Sequence, residues 1–436
     1  MNSVVLAAVA AVAMLAVARR RRIQTRRIPH PNPIPAVKRA LFIDDVELSN
    51  FTQFQIYLPE PVCANRLALA LQQALELFPY AGGKFVWNGT RWDLHSPGLG
   101  IEFIHKHLGQ DVGYSIGELA NVFSQVSNRE FALPFPSKIH SELPVVTVQL
   151  ATSGEAFSVL TFSLAHFMFD GTTRYYFCKT VSDLCSSTIT LPAFTYEIAM
   201  SEQELAAKLV EYKLDTNPYH TSRYPGEHVA QQIVLSAQKI SELKQVMPSG
   251  ATTHEIAVAL LVFAVRHLHA NVMLFNICNL RKRLPGVFPE FYLGNAAGLV
   301  AYKVDKLSAS DTLYQVCEKL HASAKQGLAQ SQCEQGFFRN EAYGTLVLSP
   351  STRQQQSFQR VYYAPQQCGF LVNSWRHQDW YALRFGGKQS PLRVGLAPTL
   401  CTQPRYVHVE QCSPQGDIRL FAMLSLEEAC ALEAVL

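Results

Sequence analysis

Closely spaced cysteine pairs are missing. The ten cysteines of this 436-residue chain are scattered with no C-x-x-C, so neither a zinc ribbon nor a thioredoxin-type redox motif is encoded. No H-E-x-x-H stands among the fourteen histidines, and no Walker or G-x-G-x-x-G loop occurs. Zinc metalloproteases, P-loop enzymes and Rossmann dehydrogenases are therefore excluded, and no metal or tightly bound cofactor is expected. Charge is sparse, at 17% of residues with a net +4. Six arginines near one end (Arg19, Arg20, Arg21, Arg22, Arg26 and Arg27) exceed that whole surplus. The rest of the chain is near neutral and lacks the basic field that nucleic acid requires. Gly and Pro, 23 each, sit near average and exclude collagen-like and low-complexity classes. A hydrophobic fraction of 48% is too high for a disordered chain. Scattered thiols read as reduced, mostly buried residues facing a cytosolic compartment.

What is present at the N-terminus is an uncharged run of Ala, Val, Leu and Met up to Ala18, followed by the arginines. As a helix, eighteen residues would span about 27 Å at ~1.5 Å each, slightly short of a ~30 Å hydrocarbon core. A cleaved secretory signal would carry its positive charge before the apolar run, and a transit peptide would be amphipathic. The pattern is expected to be an anchor over residues 1–22 with its arginines on the cytosolic side. That expectation places the protein on the endoplasmic reticulum membrane with a cytosolic catalytic part, organelle targeting being the alternative. Pro29, Pro31, Pro33 and Pro35 predict a stiff spacer over 23–40.

Strand and helix patterns then alternate along the chain. Phe51–Leu58 alternates as a strand, Asn65–Phe78 has helical apolar spacing stopped by Pro79, and Asn88-Gly89 turns a short hairpin. Val145–Leu150 and Phe157–Leu164 read as strands and Thr172–Leu184 as a helix. The second half predicts strands at Gln232–Ser236, Phe275–Leu280, Gly369–Ser374 and Arg405–Glu410. Its helices are expected at Ile240–Val246, Thr253–His269 and Leu313–Ser323, with a last one from Ser425. The fold class is α/β, with one domain over 41–190, a connector over 191–230 and a second domain over 231–436.

The stretch SVLTFSLAHFMFDGTTRYYF, residues 158–177, carries the most chemistry. A hydrophobic strand delivers His166, Asp170 follows four residues later, and Gly171 releases the chain into a helix. Reactive groups tend to sit on such strand ends. An imidazole is largely neutral at pH 7 and can accept a proton, and a neighbouring carboxylate can fix its setting. A satisfied structural histidine produces the same short string.

The H-x-x-x-D-G string resembles the motif of the BAHD acyltransferases, and other segments match that family in order. LALQQALELFPYAGGKF (69–85) looks like the helix followed by P-x-A-G-R, and LPVVTVQLA (143–151) like the strand before the catalytic hairpin. FNICNLRKRLPGVFPEFYLGNAAG (275–298) is similar to the R-x-R…Y-x-G-N segment, and FLVNSWRHQDWYALRFGGK (370–388) to T-S-W…D-F-G-W-G-K. The resemblance implies two chloramphenicol acetyltransferase-like domains, each a mixed sheet with flanking helices, with the active-site channel between them.

It further implies that His166 is the general base that deprotonates an alcohol, or less readily an amine, as it attacks acyl-CoA without an acyl-enzyme. Asn373 stands where the family has an oxyanion-assisting Thr, and its amide can also donate. Trp375, Gly171 and Ser374 would line the channel. Asp170 would pair with Arg281, while Arg283, Asn295, Phe385 and Gly386 support structure. The two arginines could otherwise be exposed charges beside Lys282, and Asn373 a strand-end polar residue. The expected partners are acyl-CoA as co-substrate, a small-molecule acceptor and a membrane, with the protein monomeric and free of nucleic acid. Arg384-Phe385-Gly386-Gly387-Lys388 departs from D-F-G-W-G-K by reversing a charge. That departure keeps open a non-catalytic acyl-CoA-binding relative, and a thioester or ester hydrolase is a further alternative. Ala165 in place of a second histidine tilts against carrier-bound or very long-chain donors.

Overall fold

The computed structural model describes residues 23–32, 35–38, 51–89, 92–108, 131, 133, 140–154, 156–187, 192–211, 227–342, 368–396 and 404–435. The first half builds on β1 (Ile23–Ile28), β2 (Ala36–Lys38), β3 (Phe51–Leu58), helix α1 (Ala64–Leu77), β4 (Lys84–Trp87), β5 (Trp92–Ser96), β6 (Ile101–Leu108), β7 (Val146–Ser153), β8 (Phe157–Ala165), α2 (Gly171–Ser186) and α3 (Glu202–Glu211). The second contributes β9 (His228–Leu235), α4 (Ala237–Val246), α5 (Thr253–Val265), β10 (Val272–Asn279), β11 (Ala297–Val304), α6 (Leu313–Gly327), α7 (Gln330–Ala342), β12 (Cys368–Ser374), β13 (Arg393–Leu396), β14 (Tyr406–Gln411), β15 (Ile418–Ser425) and α8 (Leu426–Glu433).

One six-stranded sheet runs in the order β1-β6-β7-β8-β3-β13, a second β11-β10-β12-β14-β15-β9, and β2-β5-β4 form a small third. Both large sheets are mixed: β6 and β7 are parallel in the first, and β10, β12 and β14 in the second. Strands β3, β7 and β8 are buried throughout, since each lies between two neighbours and packs into apolar clusters. Phe54 and Phe162, on paired strands, stack at 5.3 Å in the first core. A fully buried side chain of this size contributes about 1.5–3 kcal/mol relative to an exposed one. In the second core α5 is apolar almost all round and covers the sheet. It starts cleanly because Thr252 and Glu255 form a reciprocal capping box.

The structure corrects several expectations. Ile23–Ile28 is not spacer: it pairs with β6 as the edge of the first sheet. Arg26 lies over the Phe103 ring and Arg27 pairs with Glu102, so two arginines read as an anchor flank are side chains of an exposed edge strand. The expected membrane location on the endoplasmic reticulum is corrected on a separate ground. Among the described residues no helix is long and apolar enough to cross a membrane. The expected anchor, residues 1–22, lies outside the described residues. The 191–230 connector holds helix α3. The boundary at 231 does not divide the sheets. β13 joins β3 in the first sheet, and Trp375, Trp380, Tyr381, Leu383 and Phe385 pack into the first core. A four-residue strand can be stable there because β3 supplies its partner and the first core covers its apolar side.

Candidate active site

The C-terminal ends of β8, β10 and β12 open onto one cavity of about 820 Å³. Its wall takes His166, Asp170, Gly171, Arg174, Tyr175 and Tyr176 from the first lobe. Across from them stand His254, Asn276, Cys278, Lys282, Arg283, Asn295, Asn373, Ser374, Trp375 and His377. Crevices beyond the carboxyl ends of strands are where open α/β sheets bind ligands.

β8 is sealed up to Ala165, and the chain turns at once: the Met168 and Phe169 amides both donate to Ala165 O. This turn brings half-buried His166 to the cavity wall. Asn295, fully buried, donates from Nδ2 to His166 O at 3.4 Å. Asp170 caps α2, accepting from Thr173 N at 2.8 Å, as a carboxylate at a helix N-terminus should.

Asp170 is also the centre of a buried ion pair. Arg281 Nη1 reaches its Oδ2 at 2.7 Å and Ala296 N donates to the same oxygen at 2.9 Å. Both residues are only 2% exposed. Burial by itself would raise the Asp170 pKa, but the Arg281 charge and the Arg281, Thr173 and Ala296 hydrogen bonds outweigh it and hold the carboxyl below its usual range. Arg281 also donates to Tyr292 O, Asn279 Oδ1, Thr173 Oγ1 and Gly294 O. The guanidinium thus ties the turn after β8 to the segment between β10 and β11. Arg283 lies elsewhere on the cavity wall and donates to Leu328 O at 2.7 Å.

On the opposite wall, Asn373 Nδ2 donates to the Tyr406 hydroxyl at 3.1 Å. Buried Trp375 lies under the Arg174 guanidinium, 4.7 Å from its ring centre. Arg174 further donates to Thr52 Oγ1 and Phe169 O. Sequence reasoning did not single out Arg174, though it stands in the same string as His166. Nor did it find Tyr406, His408, His254 or Asn276. These sit on strands and a helix end whose facing is set by tertiary packing; the alternation of Tyr406, His408 and Glu410 was the one usable signal. His254 Nε2 meets Asn276 Oδ1 at 3.1 Å; burial lowers its pKa, outweighing that hydrogen bond. His377 is lowered by burial and by Arg376 and Lys282.

Phe385 and Gly386 are not on the cavity wall. Both have positive φ, 49° and 88°, and their amides donate to Ser182 Oγ and Ser186 Oγ at the end of α2. Arg384 Nη1 turns onto Tyr381 O and Leu383 O. The reversed charge of the R-F-G-G-K segment is therefore taken up by backbone carbonyls away from the cavity. Among the described residues, His269, Cys368 and Glu428 come together as possible metal ligands. They lie off the cavity, and Glu428 Oε1 already accepts from His269 Nε2 and Arg405 Nη2.

The model of the Transferase family matches residues 46–432, while no curated protein sequence matches. TRI101 of F. graminearum, solved with ethyl coenzyme A, shares 14% identity at a TM-score of 0.66, over 92% of this chain and 97% of that one. TRI101 of F. sporotrichioides, solved with coenzyme A and T-2, gives 15% and 0.69 over 91% and 96%. Vinorine synthase gives 14% and 0.65 over 95% and 97%. With the mixed sheets, the shared cavity and a family match over most of its length, the chain belongs to the BAHD acyltransferases of the Transferase family.

Proposed function

We propose that this protein transfers an acyl group from acyl-CoA to the hydroxyl of a small-molecule acceptor, with His166 as general base. The observation that carries this reading is that His166 and Asn373 line facing walls of one cavity, with the His166 turn locked by Asp170 and Arg281. His166 takes the proton as the acceptor oxygen attacks the thioester carbonyl carbon, a contribution of roughly 10²–10⁴-fold. The tetrahedral oxyanion takes a hydrogen bond from the Asn373 amide. Collapse breaks the carbon–sulfur bond, and the CoA sulfur leaves with the proton from His166. No acyl-enzyme forms.

Lys282 and Arg283 put positive charge on the cavity wall, which suits a polyanionic donor. TRI101 structures hold coenzyme A with T-2 or deoxynivalenol, small acceptors on the same fold. The non-catalytic reading loses its motive, because the altered R-F-G-G-K segment lies off the cavity. The test is thiol release from a panel of acyl-CoAs with acceptor alcohols and amines, products being identified by mass spectrometry. Ester formation that His166→Ala abolishes while CoA binding persists supports the reading. Free acid released without acceptor would replace it with hydrolysis.

A further inference from the structure

Strand β14 carries three polar side chains at alternate positions, Tyr406, His408 and Glu410, all buried. Val407 and Val409 between them fill the second core, so the polar row faces the other way, where the Trp375 and His408 rings meet nearly at right angles with centres 5.2 Å apart. Burying such a row is costly unless each member is partnered.

Chemistry fixes the direction of each bond. Glu410, paired with Arg419, is an acceptor. His408 Nε2 lies 3.3 Å from Glu410 Oε2 and so carries the ring proton. The ring is neutral, since burial, Arg419 and Arg174 push its pKa down to about 3. Its Nδ1 is therefore an acceptor, and the Tyr406 hydroxyl, 3.5 Å away, donates to it. The hydroxyl oxygen in turn accepts from Asn373 Nδ2. A half-turn of the Asn373 amide would set its oxygen against a hydroxyl whose proton is already committed to His408.

We propose that Tyr406 is a positioning residue for acyl transfer. It takes one N–H of Asn373 and thereby holds the second at the cavity for the developing oxyanion, with His408 and Glu410 fixing the hydroxyl's direction. The proposal rests on the acyl-transfer reading above. A chain of this kind spares the reaction the cost of orienting a free amide at the moment charge develops.

The experiment compares steady-state acyl transfer by the full chain with that of Tyr406→Phe, Asn373→Ala and their double variant, after thermal melting has shown each to be folded. Tyr406→Phe is expected to lower kcat about 10- to 100-fold, below the loss for a deleted oxyanion donor, with KM for acyl-CoA within about twofold. On the Asn373→Ala background the same change is expected to have no further effect, a non-additivity that a merely structural role would not produce. His408→Phe, which removes the hydroxyl's acceptor, serves as a second variant and should act in the same direction. Full kcat in Tyr406→Phe, or an undiminished loss on the Asn373→Ala background, overturns the proposal alone. A wild-type chain that releases no thiol from any donor overturns the transfer reading, and this proposal with it.

Discussion

Arg281 and Asp170, 111 residues apart, meet as a two-pronged pair with Nη1 at 2.7 Å from Oδ2 and Nη2 at 3.3 Å from Oδ1. Almost no solvent reaches either group. A buried pair of this kind is weak as a source of net stability but costly to break. Asp170→Asn leaves the Arg281 charge uncompensated and is expected to destabilise the fold by about 3–5 kcal/mol, read by urea denaturation. Arg281→Met in the same chain should restore part of that loss; no restoration would show that the pair is not the source of the cost.

Acid sensitivity follows from His408. Its folded pKa, about 3, lies below the ordinary ~6.5, so the unfolded chain binds more protons between those values. Stability therefore falls as pH drops through that window, by up to about 1.4 kcal/mol per unit for one group, and is unaffected by this group above it. His408→Phe should flatten the stability–pH curve between ~6.5 and about 3. A slope unchanged in this variant would place the acid sensitivity elsewhere.

Asp170 contributes in the same direction at lower pH. Its folded pKa is depressed, so the stability it lends is complete above its unfolded value of ~3.9. That stability is lost as pH falls through the folded value. Below pH ~4 the acid-unfolding curve of Asp170→Asn should therefore be shallower than that of the wild-type chain, as far as circular dichroism can follow it.

Replacing the proposed base has a separate signature. His166→Ala is expected to lower kcat by about 10²–10⁴-fold with CoA affinity, measured by calorimetry, little changed. Asp170→Asn would lower activity only as far as the turn loosens, so a larger effect at Asp170 than at His166 would argue against the assignment.

Arg384 offers the contrast. Its guanidinium caps two carbonyls of its own segment and does not line the cavity. Arg384→Ala should shift stability by no more than about 1 kcal/mol and leave kcat/KM for acyl-CoA within about twofold. A large rise in KM for the donor would instead bring this segment to the CoA side.

Much of the architecture was legible because local patterns and tertiary demands agreed. Phe51–Leu58 is rich in β-formers and closes as β3 over those same residues. Asn65–Phe78 has helical apolar spacing, and α1 packs beside α2 and buries its Leu67, Leu71 and Leu75 in the first core. Where long-range contacts decided, the pattern was silent or misleading. The arginines of β1 look like a solvated flank until Phe103 and Glu102 are in place beside them. The four residues of β13 carry too little signal to reveal a strand that completes a sheet begun over 300 residues earlier.

By itself, the sequence determined the alternation of strands and helices, the delivery of His166 and Asp170 to the end of a buried strand, and a string of segments similar to one enzyme family. Those features follow from local periodicity and from residue types whose chemistry is intrinsic. Only the folded chain decided that Asp170 is shared between a helix cap and Arg281, that Arg384 turns away from the cavity, and that Asn373 is held by Tyr406, His408 and Glu410. Hydrogen bonds and ion pairs of this kind depend on direction and burial, and both are set when strands distant in sequence are brought side by side.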